Sequence, residues 1–173
     1  MKILIVGGGG REHAIAWKLS KENNVEKIYC APGNAGIAKV AQCVNISDSD
    51  IENLVKFAKE NNIDLTVVGP EVPLVNGIVD EFEKKGLKIF GPNKECSTFE
   101  GSKSFSKDFM IRHNIPTAKY KEYTNLDEAI SEIDSFGYPV VIKADGLAAG
   151  KGVVITENRE DAINTLKEMM NDK

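Results

Sequence analysis

Residues 2–19 read KILIVGGGGREHAIAWKL, and their order decides the fold. Residues 2–6 form an unbroken Ile- and Val-rich run, the pattern of a parallel-sheet strand covered on both faces. Four glycines, Gly7 to Gly10, follow, and a helix is expected from about residue 11 to residue 20. Strand, glycines, helix is the order that sets an anion on a helix N-terminus. The dinucleotide fingerprint G-x-G-x-x-G fails in both registers. Counted from Gly7 it needs a glycine where Glu12 stands, and counted from Gly8 it needs one at His13. The next expected strand, residues 27–31, ends in Pro32-Gly33-Asn34 and brings no acid for a ribose 2′-OH. A nicotinamide dinucleotide is disfavoured, and a smaller phosphate ester fits.

Moving outward, strands and helices keep alternating. Ser47, Asp48, Ser49 and Asp50 offer N-cap oxygens to a helix whose apolar positions are Ile51, Leu54, Val55 and Ala58. Residues 65–68 are the next strand, ending in Gly69-Pro70-Glu71. One helix is expected after Pro73, with Leu74, Val75, Ile78, Val79 and Phe82 as its stripe and Gly86 as its stop. Residues 88–90 make a further strand. Alternation of this kind gives an α/β fold with a doubly wound parallel sheet. Ligands of such sheets bind beyond the carboxyl ends of the strands. The three strand ends 7–11, 32–35 and 69–71 are therefore expected to converge on one crevice. His13 reads as a packing or capping residue, Trp17 as core, and His113 as a solvated residue near a helix end.

Composition narrows the partners. The chain has 173 residues, 42% of them hydrophobic, and a formal net charge of −4. A broad nucleic-acid or anionic-membrane footprint is excluded by that charge. No run approaches the ~18 apolar residues of a membrane span, and no signal segment opens the chain. Cys30, Cys43 and Cys96 are odd in number and lack C-x-x-C spacing, which points to reduced thiols and a cytoplasmic protein.

The second half carries a different signal. A helix is expected from residue 102 to about 114, bearing Lys103, Lys107 and Arg112. A strand is expected over 118–123 and a helix over 126–136. The stretch 139–155 reads PVVIKADGLAAGKGVVI, two β-branched runs joined by a basic loop with Gly146, Gly150 and Gly152 around Lys151. The runs read as a hairpin. Glycines turn backbone N–H groups toward an anion, and Lys143 at the first strand's end meets the same anion. A polyphosphate suits this loop. A Walker A cradle does not, because the Gly–Gly-Lys spacing is one residue short, Gly152 replaces the hydroxyl, and a strand follows. A lid over phosphates and a plain surface loop both remain open. A last helix is expected over 159–170, capped by Asn158.

The motifs taken together, Gly8-Gly9-Gly10-Arg11-Glu12-His13, Ala31-Pro32-Gly33-Asn34-Ala35-Gly36, Val68-Gly69-Pro70-Glu71, Gly91-Pro92, Gly101-Ser102-Lys103 and the long loop from Lys143 to Gly152, closely resemble the phosphoribosylamine–glycine ligase (glycinamide ribonucleotide synthetase) family. The resemblance covers all 173 residues. It implies an ATP-grasp ligase of purine biosynthesis that joins glycine to 5-phosphoribosylamine through a glycyl phosphate. It also implies a division of the chain: a Rossmann-like substrate domain over 1–101, the start of an ATP-grasp domain over 102–123, and part of its lid over 124–173, the ATP-grasp portion being incomplete. By resemblance, Gly9, Gly10 and Arg11 lie near the substrate phosphate, and Asn34 and Glu71 near its sugar or amine. Lys103 and Lys143 resemble the two lysines on the nucleotide phosphates, Lys143 being the catalytic one and Lys107 the alternative to Lys103. Gly146, Gly150, Lys151 and Gly152 resemble the loop over ATP. The family's Mg²⁺ carboxylates have no counterpart here, so the remainder of the enzyme is expected elsewhere and the piece alone is expected to be inert. Another ATP-grasp carboxylate–amine ligase and a non-catalytic nucleotide-binding module are the alternatives.

Overall fold

The computed structural model describes residues 1–147 and 152–171. The chain divides into two compact units, Met1–Thr98 and Phe99–Lys173.

The first unit is built on a five-stranded sheet. Its strands are β1 (Lys2–Gly7), β2 (Lys27–Pro32), β3 (Gln42–Cys43), β4 (Leu65–Val68) and β5 (Ile89–Phe90). All pair in parallel, in the order β3-β2-β1-β4-β5. The helices are α1 (Gly10–Leu19), α2 (Ile51–Glu60), α3 (Glu71–Val75), α4 (Ile78–Lys84) and α5 (Lys94–Gly101), the last ending beyond the unit's nominal boundary. Successive side chains of β1 alternate faces. Leu4 and Val6 join Leu54, Ala58, Ile78, Val79 and Phe82 in one core. Ile3 and Ile5 join Ala16, Ile28, Cys30 and Ile37 in the other. A sheet buried on both faces is the reason β1 has no polar alternation.

Three local expectations need correction. The single helix after Pro73 is two helices. Gly77 takes φ +90°, which ends α3 and starts α4 while leaving Ile78, Val79 and Phe82 buried. The stripe was real, but its period ran across a left-handed break. Helix α5 was not anticipated. Its signal was Asn93, whose Oδ1 accepts from the Cys96 N–H at 2.9 Å as an N-cap oxygen does. Trp17 is 50% exposed rather than core. The buried face of α1 runs through Glu12 and Ala16, and Trp17 lies about 100° round from it, under the Lys21 ammonium 3.5 Å from its ring.

In the second unit, α6 (Lys103–Arg112) is capped by Ser102, and α7 (Leu126–Glu132) by Asn125. A 3₁₀ turn (Ile133–Phe136) follows. Then come β6 (Val140–Lys143), β7 (Val153–Thr156) and α8 (Arg159–Asn171). The strands β6 and β7 form the antiparallel hairpin read from sequence. Val140 and Ile142 meet Ala129, Ile133, Ala162 and Leu166 in a small core. Residues 118–123 are not a strand. They alternate suitably, but among the described residues no third strand joins the β6–β7 ladder, and an extended segment without a ladder is not a strand. Among the described residues no helix is long and apolar enough to cross a membrane.

Candidate functional site

The chain runs outward from β1 to β2 and β3, then returns to β4 beside β1 and continues to β5. The order reverses between β1 and β4, and a doubly wound sheet opens its ligand crevice at such a reversal. The loops after β1, β2 and β4 meet there. The Gly33 N–H donates to Gly7 O at 3.1 Å, and Asn34 Nδ2 donates to Gly8 O at 2.8 Å. From the β4 side, Glu71 Oε2 accepts from Arg11 Nη2 at 3.1 Å.

The sequence-derived residues do not all play the same part. The Gly9 N–H is already taken, since it donates to Glu12 Oε2 at 2.5 Å. Gly10 opens α1 with free space around its Cα. The first N–H groups of a helix lack internal acceptors, and among the described residues none faces those of Gly10 and Arg11. Arg11 is 71% exposed at its side chain and Glu71 34%, so their pair contributes little stability in water. The Glu71 carboxyl is held below its usual range, first by its own backbone N–H and then by the Arg11 guanidinium. The Asn34 side chain makes three hydrogen bonds. Beside its bond to Gly8 O, its Oδ1 accepts from Gly36 N at 2.8 Å and Ile37 N at 2.9 Å, closing the loop after β2. His13 packs its ring against Gly36, where a Cβ would lie 2.8 Å from Cε1, in line with the packing reading.

Glu12 was missed as a site residue. It is 3% exposed, and its Oε1 has no hydrogen-bond partner among the described residues. The legible signal was position. A glutamate at the third helical residue reaches back to the N-cap N–H, the half of a capping box that survives when the cap is glycine.

In the second unit, Asp145 is the organiser that sequence reading passed over. Its Oδ1 accepts from Lys103 N at 2.6 Å and Ser104 N at 3.3 Å. Its Oδ2 accepts from Ser104 Oγ at 2.8 Å and Ser102 Oγ at 3.2 Å. A carboxylate thus sits on the N-terminus of α6, where negative charge is favoured. Partial burial opposes ionisation, yet the bonds from Ser104, Gly146 and Lys103 hold the carboxyl at about 2. Lys103 Nζ donates to Gly146 O at 2.6 Å, so the first lysine and the start of the loop are joined. Lys107 Nζ turns instead to Thr117 Oγ1 at 2.6 Å and Ala118 O at 3.2 Å. Lys143 ends β6 opposite Val153 and is exposed. Gly152 O accepts from Ala144 N at 2.8 Å, closing the loop base. Gly150 and Lys151 lie outside the described residues.

A doubly wound parallel sheet followed by a capped helix and an antiparallel hairpin is the fold of an ATP-grasp protein with the domain that precedes it. Residues 1–100 match the N domain of phosphoribosylglycinamide synthetase, and residues 101–173 match its ATP-grasp (A) domain. The chain belongs to the phosphoribosylglycinamide synthetase family. It is 58% identical over 170 residues to the phosphoribosylamine–glycine ligase of Clostridium acetobutylicum, covering 98% of this chain and 41% of that protein. It is 54% identical over 171 residues to that of Halalkalibacterium halodurans, covering 99% and 40%. The chain therefore spans about 40% of the length of these curated relatives. The crystal structure of the Thermotoga maritima phosphoribosylamine–glycine ligase superposes with a TM-score of 0.76 at 34% identity, covering 95% of this chain and 38% of that one. The biotin carboxylase domain of Hydrogenobacter thermophilus 2-oxoglutarate carboxylase shares the fold, with a TM-score of 0.77 at 22% identity.

Proposed function

We propose that this chain supplies the phosphoribosylamine-binding domain and the first part of the ATP-grasp module of a ligase. That ligase joins glycine to 5-phosphoribosylamine at the expense of ATP. The observation that carries this reading is the switch-point crevice, where the N–H groups of Gly10 and Arg11 have no acceptor among the described residues and the Arg11 guanidinium reaches Glu71 from the loop after β4, in a chain matched throughout by one ligase family.

The chain's own residues divide the work. Gly10, Arg11 and the positive end of α1 hold the ribose phosphate. Glu71 fixes the guanidinium and presents an ionised carboxylate toward the amine end of the substrate. Asn34 acts through the backbone, holding the loop after β2 against Gly8 rather than touching the sugar. In the second unit, Lys103 and Lys143 meet the ATP phosphates, and the loop from Gly146 to Gly152 closes over them. Lys103 is favoured over Lys107, because it is the lysine tied to that loop. In the reaction, the γ-phosphoryl group passes to the glycine carboxylate. The amine then attacks the acyl carbon and phosphate leaves. Lysines so placed stabilise charge on the transferring group. Among the described residues no cluster of three or more His, Cys, Asp or Glu side chains suits a metal ion, so no step is assigned to Mg²⁺ here.

Ribose 5-phosphate carries the phosphate and sugar of the substrate and is stable enough for calorimetry on the 173-residue chain. Charge-assisted hydrogen bonds contribute roughly 1.5–3 kcal/mol each. Arg11→Ala should therefore weaken binding about ten-fold or more, at ~1.4 kcal/mol per decade. Equal affinity in both proteins would remove Arg11 and its loop from the site.

A further inference from the structure

Three glycines from two loops surround one buried carboxylate. A Cβ on Gly7 would lie 2.8 Å from Glu12 Cγ and 2.9 Å from its Cδ, and one on Gly9 would lie 2.9 Å from Oε2. A Cβ on Gly69, in the loop after β4, would overlap Glu12 Oε1 outright. No ordinary side-chain carbon fits at any of the three. The sequence of the first loop looks like one kept clear for a phosphate. The geometry shows instead that a Cβ on Gly9 or Gly69 would run into Glu12, while one on Gly7, already at φ +121°, would meet Glu12 and, at 2.8 Å, Pro70 Cδ.

We propose that Glu12 is a positioning residue that sets the gap between the loops after β1 and β4, and so aims Arg11 and Glu71 at the same ligand; the ligand part of this rests on the ribose-phosphate reading above. The carboxylate bridges the reversal point of the sheet from inside. Oε2 fixes Gly9 N–H at 2.5 Å, and Oε1 lies against Gly69 with no hydrogen-bond partner among the described residues. Its chain neighbour Arg11 emerges on the open side and closes the same two loops from outside through Glu71 at 3.1 Å. Adjacent residues at the start of α1 thus hold both walls of the crevice, one buried and one exposed. An acceptor left unpaired in the interior costs free energy. Its retention here is accounted for by the spacing it imposes, not by fold stability alone. With Gly9 N–H occupied, the anion is left to the N–H groups of Gly10 and Arg11, which shifts the binding position by one residue toward the helix.

The test is a double-variant cycle on the 173-residue chain, read by unfolding midpoint and by ribose 5-phosphate calorimetry. Gly69→Ala should destabilise strongly when Glu12 is intact and little when Glu12→Ala has removed the Cγ, Cδ and oxygens that a Cβ at Gly69 would meet. Glu12→Ala should weaken ribose 5-phosphate binding at least ten-fold, and Glu12→Gln, which still accepts from Gly9 N–H, should recover most of it. Equal damage from Gly69→Ala in both backgrounds overturns the proposal, as does a Glu12→Gln protein as defective in binding as Glu12→Ala. Should a variant fail to fold, amide hydrogen exchange of the unaltered chain decides. Slow exchange at Gly9 beside fast exchange at Gly10 supports the arrangement, and the reverse order overturns it. If the unaltered chain does not bind ribose 5-phosphate, the ligand reading fails and Glu12 loses its role toward it, while the Glu12–Gly69 coupling in stability is still read.

Discussion

Two thiols stand in register on neighbouring strands, Cys30 on β2 and Cys43 on β3, and their surroundings make them opposites. Cys30 is buried, and its Sγ donates to Gly7 O at 3.2 Å beneath the crevice loop. Burial first, then the nearby Cys43 and Glu12, push this thiol from its ordinary 9.0 up to about 12. Cys43 and Cys96 are exposed. Thiolate is the reactive form, so at pH 8 iodoacetamide should label Cys43 and Cys96 while Cys30 reacts on the order of a thousand-fold more slowly. Peptide mass spectrometry after timed labelling reads this directly. Prompt labelling of Cys30 in the folded chain would show that the core it shares with Ile3, Ile5 and Ala16 opens easily beneath the crevice.

Each unit has one element with a telling break or cap. In the first unit the break is Gly77, whose φ of +90° separates α3 from α4. An added Cβ meets Lys94 carbons at 3.4 and 3.7 Å and Asp80 Oδ2 at 3.8 Å, so space is available and backbone strain is the main cost. Gly77→Ala should destabilise by about 1–2 kcal/mol, the price of a left-handed residue with a side chain, measured as a lower denaturant midpoint with unchanged slope. In the second unit the cap is Asp145 on α6. Its folded value of about 2 lies below the ordinary 3.8. A lowered carboxylate gives stability that is complete above about pH 4 and disappears as pH falls toward 2. Asp145→Ala should cost about 0.5–2 kcal/mol at pH 7 by the measure of side-chain caps, near the lower end because the carboxylate is solvent-exposed. The gap between the two proteins should close as pH falls from 4 to 2. A gap that stays constant over that window would mean that the α6 bonds do not depend on the charge.

For the molecule as a whole, the chain is matched by two successive domains of one family, the N domain over residues 1–100 and the ATP-grasp (A) domain over residues 101–173. Under the proposed function, the first brings the phosphate crevice and the second the lysines for a nucleotide. The chain spans about 40% of the length of its curated relatives, and among the described residues no cluster of three or more His, Cys, Asp or Glu side chains suits a metal ion. A 173-residue polypeptide of this sequence should therefore give no glycine-dependent phosphate release from ATP, glycine and phosphoribosylamine. The control is a full-length ligase such as the Clostridium acetobutylicum relative, of which the chain covers 41%. Turnover above that of a Lys143→Ala version would show that the residues present suffice.

Local pattern alone determined the strands β1, β2, β4 and β5, the helices α1 and α2 and the β6–β7 hairpin, because burial on both faces and strand-turn-helix order are written residue by residue. It also made a phosphate ester, rather than a dinucleotide, the expected ligand of the loop after β1, since the fingerprint breaks at Glu12 and His13. It misjudged Trp17 and residues 118–123, where an apolar or alternating residue needs a partner that only the packed chain can supply or withhold. It left open what holds the loop after β2, and the fold uses the Asn34 side chain for this through Gly8, Gly36 and Ile37. Glu12 and Asp145 gained their roles only in three dimensions. Each is a carboxylate whose partners include residues far along the chain, 57 positions away at Gly69 and 42 at Lys103. Such separations are closed by sheet order and by the hairpin, and no local periodicity records them.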